Sequence, residues 1–241
     1  MKGIRYFSAL TLLLVLIALA WSPASAALDI SGILEKKGPR AQEVVSRPTI
    51  SRVSELSRLP VSPRQYEFLL DHPHLSIVLA RICDPSLDLY SIEVRPDGSS
   101  HVNDPAGLAG EVETLYAGRN SRVYFITGHY ELLKMRFHGR MVVVAEYAGA
   151  SAGEGPPVKA TNTSYIRIDS AVAGVVAKMI ALLFPRKVDA RIDRFSRAVR
   201  LVALAVHDDP AGAYRRLAAS REISPDELSA FTRMFLKSSG P

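Results

Sequence analysis

The sequence NTSYIRIDSAVAGVVAKMIALLFPRKVDARIDRF, residues Asn162–Phe195, contains the transition that decides the fold. Its first residues end a predicted strand, VKATNTSYIRI, and a helical pattern begins at Ser170. Ala171–Phe184 then carries one charge, Lys178, which makes it too apolar for an ordinary surface helix. It is also too short to cross a bilayer, because about 1.5 Å per residue gives roughly 21 Å against roughly 30 Å of hydrocarbon. The sequence therefore predicts a strand followed by an unusually apolar helix.

A second helix is predicted after Pro185, because apolar residues recur there at alternating spacings of four and three residues. The other face of this helix carries five arginines. On a common helical wheel, this apolar stripe lies almost opposite the bulky face of the preceding segment. Proline removes a backbone hydrogen bond, so we expect a break that leaves Ala171–Phe184 as a separate helix; a kinked continuous helix is the alternative. The apolar residues are Val188, Ile192, Phe195, Val199, Val202 and Val206, and the arginines are Arg186, Arg191, Arg194, Arg197 and Arg200.

A strand pattern occupies Leu87–Asp169. The turns RPDGS and GRNS and the loop GASAGEGPP separate about five strands. Because the connections are short, we expect a mostly antiparallel sheet. Val142–Ala145 is apolar at every position, as in a central strand that is covered on both faces.

Helices are also predicted on both sides of these strands, which gives an α+β fold. Ser62 begins a helical segment that Pro73 divides into two short helices. The capping box SPDEL opens a last helix that ends at about Leu236. The predicted organisation is a signal peptide (1–26), a weakly structured linker or N-terminal extension (27–60), a main domain (61–208) and a C-terminal helical extension (209–241).

The first residues resemble a secretory signal peptide. Lys2 and Arg5 precede the apolar run Ala9–Trp21, and the small residues of an A-x-A site follow. We expect cleavage between Ala26 and Ala27 and a periplasmic protein, and an uncleaved membrane anchor is the alternative.

The charge composition limits which classes of partner the protein is expected to bind. Removing residues 1–26 with their two basic residues lowers the formal net charge from +6 to +4. This mildly basic balance suits an anionic membrane surface, and it lacks the concentrated basic patch that would indicate nucleic acid. Protein partners are not indicated. Cys83 is the single cysteine, so no intramolecular disulfide can form.

None of the motifs that resemble catalytic or metal sites supports one. Ser151 in GASAG lacks the following helix that a nucleophile elbow requires. DHPH, Asp71–His74, places Pro73 between its histidines, which is unsuitable for metal ligands on a helix. Cys83 has no neighbouring base and is interpreted as a small core residue. We therefore predict no catalytic residue, no metal and no cofactor. The candidates for a third metal ligand are His101, His129 and His138, and the spacing specifies none of them.

The order of elements resembles the START-like (SRPBCC, helix-grip) superfamily, as an exported bacterial member. The stretches that carry the resemblance are YEFLLDHPHLSIVLARI leading to LDLYSIEVRPDG, and Asn162–Phe195, within about Pro60–Asp208. The resemblance implies an antiparallel curved sheet that grips a long C-terminal helix and encloses a cavity for a lipid, sterol or other apolar ligand. Some members are enzymes, but their active-site residues have no recognisable counterparts here.

The function expected from this resemblance is binding or transfer of an apolar ligand, in the first place a lipid, with the apolar helix as a lid or membrane contact. One alternative is an enzyme, cyclase- or hydrolase-like, that uses Tyr130, His129 or Tyr165; another is a structural envelope protein without a ligand. The candidate cavity and lid residues are Val172, Val175, Val176, Met179, Ile180, Leu183, Phe184, Tyr124, Ile126, Tyr130, Val143 and Tyr165. The candidate membrane contacts are Lys178, Arg186 and Lys187.

Overall fold

The computed structural model of the chain describes residues 30–87, 91–104, 107–132, 135–149, 157–169 and 175–237. Within these ranges, residues 36, 37, 57, 132, 135, 175–185 and 187 are described through their backbone alone. The predicted signal peptide, residues 1–26, and the GASAG serine, Ser151, lie outside the described residues.

Seven antiparallel strands form one sheet in the described part of the chain. They are β1 (Ile50–Leu59), β2 (Ser91–Val94), β3 (Ser100–Asp104), β4 (Leu108–Gly118), β5 (Ser121–Leu132), β6 (Met135–Gly149) and β7 (Val158–Ile168). Their order across the sheet is β1-β7-β6-β5-β4-β3-β2. After β1 the chain therefore crosses to the far edge and returns strand by strand.

Helices lie before, between and after the strands. They are α1 (Ile30–Lys37), α2 (Pro39–Ser46), α3 (Pro63–Asp71), α4 (Pro73–Cys83), α5 (Val175–Asp208), α6 (Pro210–Ala219), α7 (Pro225–Phe231) and a π-helical turn (Thr232–Leu236). α5 packs against α4 and β1, on the inner side of the sheet. The predicted α+β fold, in which a curved antiparallel sheet grips a long C-terminal helix, is confirmed.

The helix boundaries follow the predicted capping signals. Ser62 Oγ accepts a hydrogen bond from the Gln65 backbone N–H at 3.2 Å, and Gln65 Oε1 accepts one from the Ser62 N–H at 2.8 Å. Pro73 lies at the first position of α4, where its missing N–H costs no helical hydrogen bond. Ser224 and Glu227 form the same reciprocal box at the start of α7.

The interpretation of Leu28–Pro60 as a linker needs correction. Ile50–Leu59 is strand β1, which pairs with β7 in a register that places Ile50 opposite Ile166. The preceding helices α1 and α2 cover the outer face of the sheet. Their buried side chains Leu34, Ala41 and Val44 pack there with Leu115, Val123, Phe125, Val142 and Val144. This second core explains why Val142–Ala145 is apolar at every position.

The predicted break at Pro185 is wrong, because α5 runs through it as one helix of 34 residues, about 51 Å long. A proline inside a helix costs about 3 kcal/mol. Contacts to the sheet hold the helix directly after this position: Asp189 Oδ1 accepts a hydrogen bond from Arg52 Nε at 2.6 Å, and Ile192 is half-buried against the cavity. Among the described residues, no helix has both the length and the apolar character needed to span a membrane.

The C-terminal helices belong to the main core. Ala213, Leu217 and Phe231 are fully buried with the residues of α3 and α4. Phe235 meets Phe68 of α3 edge to face, with ring centroids 5.4 Å apart. The predicted helical extension therefore completes the hydrophobic core of the same domain.

A row of three glycines crosses the sheet where it curves around α5. Gly110, Gly128 and Gly139 are direct neighbours on β4, β5 and β6. A Cβ atom at Gly110 would lie 2.6 Å from the carbonyl oxygen of Thr127, and one at Gly139 would lie 2.9 Å from that of Arg167. Real side chains do not approach a backbone so closely, so the bend requires glycine at this row.

We predict that Gly110→Ala lowers the free energy of unfolding by about 1–3 kcal/mol, because the neighbouring strand would have to move. Urea denaturation of the purified protein measures this loss. Gly38→Ala is the matched control, since its Cβ would meet only the Ala41 Cβ at 3.7 Å, an ordinary contact. Equal stability of the two variants would contradict the role of the glycine row.

Candidate functional site

A cavity of about 570 Å³ lies between the inner face of the sheet and helices α3, α4 and α5. Its size falls within the range of small-molecule binding sites. On the floor, period-two alternation brings Val112, Ile126, Met141 and Ile166 of four neighbouring strands into one apolar row. From α5, the residues that line the opposite wall are Val188, Arg191, Ile192, Phe195, Ala198, Val199 and Val202.

The glycine row lies beside this apolar row and lines the same cavity. Three adjacent strands contribute no side chain there, so the middle of the floor is left open beneath the helix. The bend and the open floor thus have the same cause, which is the absence of Cβ atoms at these positions.

The closed end of the cavity, below α3, carries neutral polar side chains. Tyr124, Asn162 and Ser164 line it. None of these three side chains has a hydrogen-bond partner within the described part of the chain. Burial raises the pKa of Tyr124 to about 12, so its phenol stays protonated and can both donate and accept a hydrogen bond at neutral pH.

A buried arginine, Arg122, lies next to the closed end and connects the strands there to α3. Arg122 is 6% exposed, and its Nε and Nη2 donate to the two carboxylate oxygens of Asp71, both at 3.0 Å. Its Nη1 donates to the Tyr147 hydroxyl at 2.9 Å, which donates in turn to Glu67 Oε1 at 3.1 Å. The network ties α3 to the turn between β4 and β5 and compensates the arginine's positive charge.

The other end of the cavity, at Tyr130, contains a second ion pair, in which the carboxylate is buried and the arginine is half-buried. Arg191 of α5 lies 2.5 Å from the carboxylate of Asp104, which is 3% exposed. The guanidinium carbon also lies 4.8 Å from the centroid of the Tyr130 ring, within the range of a cation–π interaction. Two apolar residues of the lining are exposed: Val94, in the same row as Val112 and Ile126, is 54% exposed, and Phe195 of α5 is 40% exposed.

Four of the predicted cavity residues lie together on the sheet side of the cavity: Tyr124, Ile126, Tyr130 and Val143. Tyr165 does not belong with them. On β7 the even-numbered residues face the cavity, so Tyr165 lies on the outer face and packs against the second core.

The remaining predicted residues lie just before α5 or in its first thirteen residues, Val175–Lys187. Val172 lies outside the described residues. Arg186 is exposed. The others lie in the part of the helix that is described through its backbone alone; they are Val175, Val176, Lys178, Met179, Ile180, Leu183, Phe184 and Lys187.

The histidines are dispersed. His74 Nδ1 lies 2.9 Å from Glu227 Oε1, and the ring of His72 stacks on Phe68. His129 and His138 pair across β5 and β6, with ring centroids 5.9 Å apart. No three candidate metal ligands converge within the described residues. Cys83 is half-buried, and burial raises the pKa of its thiol, which makes it a weaker nucleophile.

Sequence reasoning missed four polar residues of the cavity. Asn162 and Ser164 alternate with outward residues in NTSYIRI, in step with the cavity residues Ile166 and Ile168, so this periodicity could have assigned them to the inner face. Arg191 was assigned to the polar face of its helix. Asp104 had no local signal, because its partner lies 87 residues further along the chain.

No family of known proteins matches the chain, and no curated protein matches it. A solved structure of an uncharacterized protein from Rhizobium leguminosarum is similar to 64% of this chain and 92% of that chain, with 14% sequence identity and a TM-score of 0.42.

We predict that Asp104→Ala destabilises the protein by about 1–3 kcal/mol, because it removes the buried carboxylate that compensates the charge of the half-buried Arg191. Chemical denaturation of the variants measures the loss. The double variant Asp104→Leu with Arg191→Met removes both charges and should recover much of that stability. A double variant as unstable as Asp104→Ala would show that packing, rather than charge pairing, accounts for the effect.

Proposed function

We propose that the protein binds and transfers an apolar ligand, a lipid, in the cavity between the sheet and α5, as an exported member of the START-like superfamily. The observation that carries the proposal is a cavity of about 570 Å³ with an apolar middle, whose lining includes the exposed apolar side chains Val94 and Phe195. Each methylene removed from water contributes about 0.8 kcal/mol. A tail of ten carbons therefore gains roughly 8 kcal/mol before the entropic cost of binding, which is enough for useful affinity.

The first part of α5 supports a contact with the membrane as part of this function. Val175–Lys187 contains three charges, all positive: Lys178, Arg186 and Lys187. An apolar surface with basic residues beside it suits the boundary between acyl chains and anionic headgroups. We propose that this part of the helix touches the membrane while a lipid enters the cavity.

The periplasm is the proposed place of action. The support for it is the signal-like pattern of residues 1–26, with its basic start, apolar run and A-x-A site. A carrier in that compartment would move lipids across the aqueous space that apolar molecules cannot cross alone.

We predict that Val143→Trp abolishes ligand binding while the protein stays folded, because the larger side chain would enter the cavity. Binding is measured through the fluorescence of N-phenylnaphthylamine, and native mass spectrometry of the protein from the cell envelope detects any lipid that copurifies. Val53→Trp is the matched control, since Val53 is 65% exposed on β1 and points away from the cavity. Wild-type binding by a folded Val143→Trp variant would refute the proposal.

We predict that Met179→Asp and Leu183→Asp each reduce cosedimentation with vesicles of phosphatidylglycerol, because a carboxylate opposes insertion into an anionic membrane surface. Melting temperatures measured on the same samples separate this effect from unfolding. Leu204→Asp is the control, since Leu204 is an exposed residue near the other end of the same helix. If all three variants sediment as the wild type does, the start of α5 is not the membrane contact.

A further inference from the structure

The two ends of the cavity differ in chemistry, and they are far enough apart for one elongated ligand. Tyr124 lies at the closed end and Tyr130 at the other end, both on β5. They are six positions apart along the strand, which corresponds to about 20 Å. Between them lie the apolar row and the glycine row, so a ligand that fills the cavity has an apolar body in the middle.

The closed end offers hydrogen bonds but no net charge. Tyr124 and Ser164 occupy the same cross-strand row, on β5 and β7, with Val143 of β6 between them. Strands are about 4.8 Å apart, so the two positions are separated by about 10 Å, and Asn162 precedes Ser164 on the same face. A small polar group at this end lies between donors and acceptors from both sides.

The cations around the cavity are compensated by carboxylates of the protein. Arg122 is paired with Asp71 at the closed end, and Arg191 is paired with Asp104 at the Tyr130 end. Arg140, which also lines the cavity, is paired with Asp169 and Glu43. An ionised head group would therefore bring an uncompensated charge into a low-dielectric site, and it would lose its hydration in doing so. A hydroxyl or carbonyl group loses less hydration and regains hydrogen bonds.

We infer that the ligand is a neutral amphiphile, with a hydroxyl or carbonyl group on an otherwise apolar body, and that it binds with its polar group inward. Tyr124 and Asn162 are the residues that recognise this group. The apolar tail extends over the apolar row, beside the exposed lining residues Val94 and Phe195, and on toward the glycine row. This inference rests on the proposed function and specifies the ligand class for the same cavity.

Three probes with the same chain test the ligand class: decane, decanol and decanoate, each competing with N-phenylnaphthylamine at pH 8. We expect decanol to bind about 2- to 10-fold more tightly than decane, because one or two hydrogen bonds each contribute modestly. Decanoate should bind more weakly than decanol. Decanoate binding as tightly as decanol, or decane matching decanol, would overturn the inference while leaving the proposed function in place.

Two variants locate the polar group. Tyr124→Phe removes only the hydroxyl, and Asn162→Leu removes the amide; each should weaken decanol binding by about 2- to 10-fold and leave decane binding unchanged. Tyr165→Phe is the matched control, because Tyr165 lies on the outer face. If Tyr124→Phe is folded, as judged by circular dichroism, and binds decanol as the wild type does, the polar group does not lie at the closed end. If neither the dye nor any probe binds the wild-type protein, the proposed function itself fails.

Discussion

The rest of the structure depends on the close approach of strands at the glycine row. Gly110, Gly128 and Gly139 have no Cβ atoms, so β4, β5 and β6 can bend around α5 instead of continuing as a flat sheet. The same absence leaves the floor of the cavity open below the helix. A sheet with ordinary side chains in this row would have to be flatter, and the helix would lie on a filled core.

Much of the fold could be predicted from local signals. Proline and serine at helix starts indicated the positions of α3, α4 and α7. Strand patterns and turn signals predicted five of the six strands between residues 91 and 168, and the short strand β3 was missed. β1 was missed because Ile50–Leu59 is rich in serine and charged residues, as an edge strand can be. Pro185 led to the opposite error. The preference of one residue is weaker than the packing of α5 in the core, where Ala198, Val202 and Val206 are buried.

The candidate site was predictable only where it depends on periodicity. Tyr124, Ile126 and Tyr130 alternate along one strand and face the cavity together. The pairings that control charge could not be predicted, because Arg122 finds Asp71 across 51 residues and Arg191 finds Asp104 across 87. These pairs explain how a chain with a formal charge of +6 can have a cavity whose arginines are compensated. Sequence composition reports the total charge, whereas the fold decides where the charge is compensated.

The pairing of β1 with β7 has a consequence for the kinetics of folding. Ile50 must find Ile166, and the core around α3 and α4 includes Phe231 and Phe235 near the C-terminus. Contacts this distant in sequence make folding slow, because a long loop must close before they form. During synthesis the sheet cannot close until β7 has emerged, and the core cannot close until α7 has followed it. The sheet and the core of this chain are therefore completed late in synthesis, after most of the sequence has been made.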